Sequence, residues 1–324
     1  MHSPEELQAI FEHKLADEKI IKHPQSLYDP VNYILSLGGK RLRPVMLLMS
    51  IEAFGGDLEE AMPAALGIEM FHNFSLVHDD IMDKAPMRRG NSTVHEKWDA
   101  NAAILSGDTM LVLAYEYFLR LDPGLVIPVI KIFGQTAKEV CEGQQYDLNF
   151  VTEKSVSLED YLEMIRLKTA VLIGASYEIG SIIGGADSQS TGLIRDFGIY
   201  SGMAFQLMDD LLDVYGDEKE FGKRLYGDIR TNKKTFLYLK ALELADRNGK
   251  ETLQRYYAGG YANIEDKVKN VVSLFNMLKI KEHTEKQIRF YHDKAIQCFS
   301  EVNARNDNKK MILEFTEQLM ERKY

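Results

Sequence analysis

The segment FHNFSLVHDDIMDKAPMRR, residues 71–89, sets three aspartates, Asp79, Asp80 and Asp83, inside an otherwise apolar run. On a helix, residues four apart stack on one face, so Asp79 and Asp83 point the same way. Asp80 lies about 100° further round the axis, a position suited to a supporting hydrogen bond. Two bare carboxylates at this spacing repel, and a cation must neutralise them. Mg²⁺ suits the pair, because it takes hard oxygen ligands, commonly one or two carboxylates completed by water and substrate phosphates. Arg88 and Arg89 follow within two turns and offer planar donor forks for phosphate oxygens. Carboxylates beside arginines point to a metal-bridged phosphate.

A single such string is more often a solvated acidic face than a metal site. A second copy changes the balance. Residues 202–213 read GMAFQLMDDLLD and place Asp209, Asp210 and Asp213 at the same spacing among Leu, Met and Val. Two acidic triplets, each in an apolar helix, are costly unless the charges are paired or metal-bound.

The chain has 324 residues, long enough for one large core or two smaller ones, and is 45% hydrophobic and 27% charged, as in an ordinary soluble globular protein; a single domain over residues 1–324 is expected. Its net charge of −10, without a strong basic block, argues against nucleic acid as the main partner. Cys141 and Cys298 show no CxxC spacing, which disfavours a zinc site or disulfide framework and fits a reducing cytoplasm. Met1–Lys19 is polar and acidic without an apolar core, and no run approaches a transmembrane span, so a cytoplasmic location is expected.

Helical periodicity runs through Pro4–Lys22, Tyr28–Leu37, Glu59–Lys84, Thr93–Arg120, Pro128–Leu148, Leu158–Ile183 and Ser190–Tyr215, with no convincing alternating strand. The expected fold is all-α, with the two acidic helices facing each other across a cavity whose apolar depth includes Phe71 and Phe74. Lys40, Arg41 and Arg43 precede Pro44 at a helix start, where free N–H groups attract anions; a solvated basic turn is the alternative. Gln144 and Asp147 lie one turn apart, and Lys168 interrupts an apolar face, either snorkelling to water or aimed into a cavity. Gly216–Thr231 is a charged, Gly-rich loop containing Lys223 and Asp228, and Lys233 and Lys234 open the next helix.

Six motifs in order carry a resemblance: GGKRLRP (38–44), the first aspartate motif with RRG after it (79–90), GQxxD (143–147), KTA (168–170), FQxxDDxLD (205–213) and GK…GDI…KKT (222–235). From about Leu37 to Leu239 the chain resembles the trans-polyprenyl (isoprenyl) diphosphate synthase family. That resemblance implies an isoprenoid-synthase-type helical bundle around a deep central cavity, as a homodimer. It implies head-to-tail condensation of isopentenyl diphosphate with an allylic diphosphate (dimethylallyl, geranyl or farnesyl), using up to three Mg²⁺ ions. Carried onto matching positions, it makes Asp79 and Asp83 ligands of two ions, with Asp80 in support, and Asp209 the ligand of a third, aided by Asp210 and Asp213. Arg88, Lys168, Lys223 and Lys233 would grip the allylic diphosphate. Lys40, Arg43, His72 and Arg89 would bind isopentenyl diphosphate without metal. Thr169 and Gln206 would face the developing carbocation, and Gln144 and Asp147 would order the cavity wall and metal-bound water.

The resemblance also assigns product length to residues just before the first triplet. Phe74, five before Asp79, resembles the short-chain enzymes, with Ser75 small beside it and Phe71 three earlier. These favour geranylgeranyl diphosphate, with farnesyl diphosphate as the alternative; Phe74 as ordinary packing stays open. A class I terpene cyclase carries an Asn/Ser/Glu second motif instead of DDxxD. A non-catalytic subunit of a heteromeric synthase typically loses an aspartate motif.

Overall fold

Short polar residues start several of the helices. Ser3 and Ser157 form capping boxes with Glu6 and Asp160, and Asp57 and Asp99 accept hydrogen bonds from backbone N–H groups of the first turn. The computed structural model describes residues 2–153, 155–217, 225–259 and 263–320. In order these form α1 (Pro4–Asp17), α2 (Gln25–Ser36), α3 (Leu42–Phe54), α4 (Leu58–Met82), β1 (Met87–Arg88), β2 (Asn91–Ser92), α5 (Val94–Lys97), α6 (Ala100–Phe118), α7 (Pro123–Thr152), α8 (Leu158–Ile165) and a π turn (Arg166–Ala170). There follow α9 (Val171–Ile183), α10 (Ser188–Tyr215), α11 (Gly227–Arg230), α12 (Phe236–Leu244), α13 (Arg247–Tyr257), α14 (Ile264–Met277), α15 (Ile280–Ser300) and α16 (Asn306–Met320). The architecture is all-α. Among the described residues no helix is long and apolar enough to cross a membrane.

The chain divides into two compact units, Met1–Gln135 with Ala175–Arg195 and Val302–Ile312, and Thr136–Gly174 with Asp196–Glu301 and Leu313–Tyr324. In the first, α4 packs against both α3 and α6. From Ala61 to Phe74 it is buried almost all round, which explains an apolar run without helical alternation. Gly67 permits this closeness, since a Cβ there would lie 2.9 Å from the Phe118 ring. In the second, Tyr161, Leu207, Leu211, Phe236 and Phe275 belong to one core cluster.

Three local departures from the sequence expectation have physical causes. Thr93–Arg120 is not one helix: the chain leaves helical geometry at Trp98, and Asp99 caps a new start at Ala100. Residues 87–92 form an antiparallel hairpin with Met87 opposite Ser92 and Arg88 opposite Asn91. Its two-residue turn, Arg89 and Gly90, takes positive φ at both positions, the geometry tight hairpins favour. Strands of two residues leave no alternation to read. Finally, Leu158–Ile183 is interrupted by the π turn, where Val171 N–H reaches back to Arg166 O.

The π turn lies against α7 through Gly143, where a Cβ would fall 2.7 Å from the Leu167 carbonyl carbon and Lys168 Cα. Backbone atoms cannot rotate aside as a side chain can. Gly143→Ala should therefore destabilise the protein by about 1–3 kcal/mol. Differential scanning calorimetry should show this as a melting temperature lower by several degrees, at roughly 2–4 °C per kcal/mol.

Candidate active site

In the first unit the last turns of α4 carry the first aspartate triplet. Asp80 is buried and fully engaged: Arg88 Nε donates to both carboxylate oxygens at 2.9 Å, and Nη2 to Oδ1 at 2.7 Å. Arg88, expected on phosphate, is thus bound to the neighbouring aspartate. Asp79 is half-buried and Asp83, the residue closing α4, is exposed. The three chemically equal residues are sorted by their surroundings into one structural carboxylate and two that water reaches.

Two turns earlier on α4, His72 lies among cations. Arg43 Nη1 donates to His72 Nε2 at 3.3 Å; because a guanidinium only donates, Nε2 is the acceptor and the ring proton sits on Nδ1. Burial, then the charges of Arg43, Arg89, Arg88 and Arg41, hold His72 well below the usual imidazole range. A neutral histidine ringed by guanidiniums is an anion site with no acidic ligand of its own. Arg89 donates to Gly38 O, and its guanidinium fills the space a Gly39 side chain would take, a Cβ there falling 2.7 Å from Arg89 Cζ. Lys40 is exposed on the same turn. Below His72, Phe71 stacks edge-on against Phe133 with centroids 5.2 Å apart, and Phe74 lies 5.5 Å from Phe71 and 4.8 Å from His78. Phe74 is 8% exposed, and Ser75 Oγ bonds back to His72 O at 2.8 Å.

The second unit repeats the sorting. Asp210, the middle aspartate of the second triplet, is buried; Tyr161 OH donates to its Oδ2, and Gln206 Nε2 to its Oδ1 at 3.2 Å. Gln206 therefore turns its carbonyl the other way, where Thr169 Oγ1 donates to it at 3.1 Å. Asp209 is half-buried. Asp213 Oδ1 and Oδ2 accept from Gly227 N and Asp228 N at 3.0 Å, tying α10 to α11. Lys168, in the π turn, neither snorkels nor stands alone: its Nζ donates to Asp147 at 2.6 Å. Although burial opposes ionisation of Asp147, Lys233 and Lys168 hold its carboxyl below the usual range. Gln144 is buried one turn before Asp147. Lys223 falls outside the described residues.

The donor set fits Mg²⁺. Asp79, Asp83 and Asp209 offer hard oxygens, and among the described residues no three His, Cys, Asp or Glu side chains converge as a complete cage. An ion held by the carboxylates of either unit would fill its shell with water and phosphate, as Mg²⁺ does. Sequence reasoning missed Glu69, Asn73 and Tyr161. Glu69 had a signal, a lone acid inside the apolar run GIEMF, whereas Tyr161 reads as one more core aromatic.

An all-α protein whose acidic helices carry solvent-reachable carboxylates near clustered guanidinium and ammonium groups has the chemistry of an enzyme of phosphate esters. Residues 24–275 match the polyprenyl synthetase family. A geranylgeranyl pyrophosphate synthase from Geoglobus acetivorans is 38% identical over 316 residues, covering 95% of this chain and 96% of the relative. A geranylfarnesyl diphosphate synthase from Aeropyrum pernix is 35% identical and covers 90% of this chain and 92% of its own. A crystal structure of a geranylgeranyl pyrophosphate synthase superposes with a TM-score of 0.95 at 45% identity, covering all of both chains. The chain belongs to the polyprenyl synthetase family of prenyltransferases.

Asp228 gives the second unit a pH signature. Burial pushes its carboxyl up to about 7, with Lys233 pulling down and Asp210, Asp213 and Asp147 pushing up. A carboxyl whose folded value lies above its unfolded value of about 3.9 favours the folded state below that lower value, and the benefit is lost as pH rises through about 7. The metal-free protein should accordingly melt at a higher temperature at pH 5.5 than Asp228→Asn predicts from its own profile. The stability of the wild type relative to the variant should fall as the pH rises to about 7 and stay level above it; parallel profiles across that range would show that the Asp228 carboxyl is not raised.

Proposed function

We propose that the chain condenses isopentenyl diphosphate with an allylic diphosphate head to tail, with geranylgeranyl diphosphate as the end product. One observation carries this. A single helix, α4, presents a carboxylate pair at one end and, two turns back, a neutral histidine among guanidiniums. Two anions are thereby recognised by opposite means, one through a cation on carboxylates and one by the protein's own positive charge. A head-to-tail prenyl transfer needs this difference, because only the allylic diphosphate departs.

Asp79, Asp83 and Asp209 would hold up to three Mg²⁺ ions, whose charge stabilises the departing diphosphate. Lys168, Lys223 and Lys233 would supply further positive charge to that leaving group, while Arg88 holds Asp80 at the end of α4. Thr169 Oγ1 and the Gln206 carbonyl present oxygen dipoles to the allylic cation, oriented by the bond from Gln206 to Asp210. Lys40, Arg43, His72 and Arg89 hold isopentenyl diphosphate so that its double bond attacks the cation. Proton loss then yields a diphosphate one isoprene unit longer. Asp147 and Gln144 keep Lys168 and bound water in register.

Phe74 and Phe71 support a short product, since their rings are packed against Phe133 and His78 and cannot swing away from a growing tail. The relative named for geranylfarnesyl diphosphate supports a product one unit longer as the second reading. A homodimer is the proposed assembly: Leu105, Val112 and Leu119 recur every seven residues on α6 and its end, each more than half exposed.

Incubation with Mg²⁺, isopentenyl diphosphate and each allylic primer, with products identified by mass spectrometry, tests the reading. Geranylgeranyl diphosphate is the expected product, and absence of elongation with every primer would refute the proposal. Asp79→Ala and Asp209→Ala should each lower kcat/KM by about 10²-fold or more while circular dichroism stays helical. Phe74→Ala should lengthen the product by one or more isoprene units; an unchanged product would assign Phe74 to packing alone.

A further inference from the structure

The anion cluster of the first unit draws its side chains from three places: the cations Lys40 and Arg43 around the start of α3, the neutral His72 on α4, and the cation Arg89 in the hairpin turn. A cluster assembled from separate segments recognises a diphosphate only if those segments are indexed to one another. Between Lys40 and Arg43 the side chain of Arg41 turns inward, away from the expected phosphate. Its Nη1 donates to Glu69 Oε1 at 2.6 Å, with the two side chains only 3% and 2% exposed, and its Nη2 donates to Leu35 O at 2.7 Å. Asn73 Nδ2 donates to the same Glu69 oxygen at 2.9 Å and to Glu69 O at 2.8 Å.

The backbone shows what this anchor does. Arg41 has φ 48° and ψ 36°, a left-handed conformation that residues with a side chain rarely adopt, and it stands immediately before the first turn of α3. Such a conformation persists where surroundings over-determine it, and a guanidinium locked to Glu69 and Leu35 does so. The left-handed residue sets the direction in which Lys40 leaves the turn and Arg43 enters the helix. At the other end of the pair, Glu69 lies one turn before His72 on the same face of α4. Distances along α3 and α4 are thus registered against each other by one buried ion pair.

We infer that Arg41 and Glu69 are positioning residues for the isopentenyl diphosphate site, aligning Lys40 and Arg43 with His72 although neither touches substrate. The inference rests on the proposed role of those cations. Its rival is that the pair merely stabilises the fold. Breaking one partner leaves a buried charge uncompensated, whereas replacing both by apolar residues of similar size is often neutral for stability. The two readings therefore part at the double variant.

The experiment compares the full-length wild type, Glu69→Gln, and the double variant Arg41→Met with Glu69→Leu. Steady-state kinetics with each substrate varied in turn is paired with calorimetric titration of inorganic pyrophosphate in the absence of Mg²⁺. The KM for isopentenyl diphosphate should rise about 10- to 100-fold in both variants, with pyrophosphate binding weakened alike. The kcat at saturation and the KM for the allylic diphosphate should stay within about threefold, the signature of lost ground-state binding at one site. Should Glu69→Gln fail to fold, the double variant alone decides. A double variant with wild-type KM and pyrophosphate affinity overturns the inference, and so does an equal rise in both KM values. A wild type that elongates no primer refutes the proposed function instead, while its pyrophosphate titration still measures the anion site.

Discussion

Two adjacent carboxylates in an apolar helix are tolerable only if the protein neutralises one of them itself, and this constraint orders much of the molecule. On α4 the neutralised member is Asp80, gripped on both oxygens by Arg88. Arg88 can reach back because the chain reverses in the hairpin at Arg89 and Gly90, which is in turn held by Tyr33 OH on Ser92 O at 2.7 Å. On α10 the neutralised member is Asp210, and the donors are a phenol and an amide. Burial raises the Asp210 carboxyl, where its neighbours cannot fully offset it. The first unit thus solves the problem with a guanidinium bonded directly to the carboxylate, and the second with a phenol and an amide on the carboxylate together with the charge of Lys233. The same sequence pattern ends in two electrostatically different places.

That difference matters for what each triplet can do. A carboxylate already satisfied by a bidentate guanidinium is a poor metal ligand, and its value lies in keeping its neighbours apart and aimed outward. Asp79 is half-buried and Asp83 exposed, so water reaches both. In the second unit, the Tyr161–Asp210–Gln206–Thr169 chain fixes an amide that could otherwise present either end. With its NH₂ committed to Asp210, Gln206 offers oxygen rather than nitrogen to Thr169. A group meant to face positive charge must not be free to flip, so the orienting bond is as much part of the chemistry as the oxygen.

The all-α class was legible because the apolar runs are long and helical in period, whereas the cap at Asp99, which splits the run from Thr93 to Arg120, went unread. That Asp79 and Asp83 belong to one helix face was legible too, from spacing alone. Other features were hidden for identifiable reasons. The hairpin at residues 87–92 is too short to alternate. The π turn leaves no trace, because inserting one residue in a helical ladder changes no residue type. Arg88 on Asp80 and Arg41 on Glu69 depend on which of several arginines reaches which acid, and spacing along the chain does not rank them. Lys168 could be identified as a lysine needing company, but its partner Asp147 comes from another helix.

The π turn is the place where these strands of argument meet. In an unbroken α-helix, consecutive residues point about 100° apart, and Lys168 and Thr169 would be held to that angle. The wider turn closed by Val171 on Arg166 relaxes it locally. Lys168 then reaches Asp147 on α7 while Thr169 reaches Gln206 on α10. Gly143 is what lets α7 come close enough, since a side chain there would collide with the backbone of Leu167 and Lys168. An ammonium group and a hydroxyl are thereby directed to two different helices from adjacent residues. Their separation by a glycine-enabled contact and a single extra backbone step is a constraint on geometry that composition and periodicity do not record.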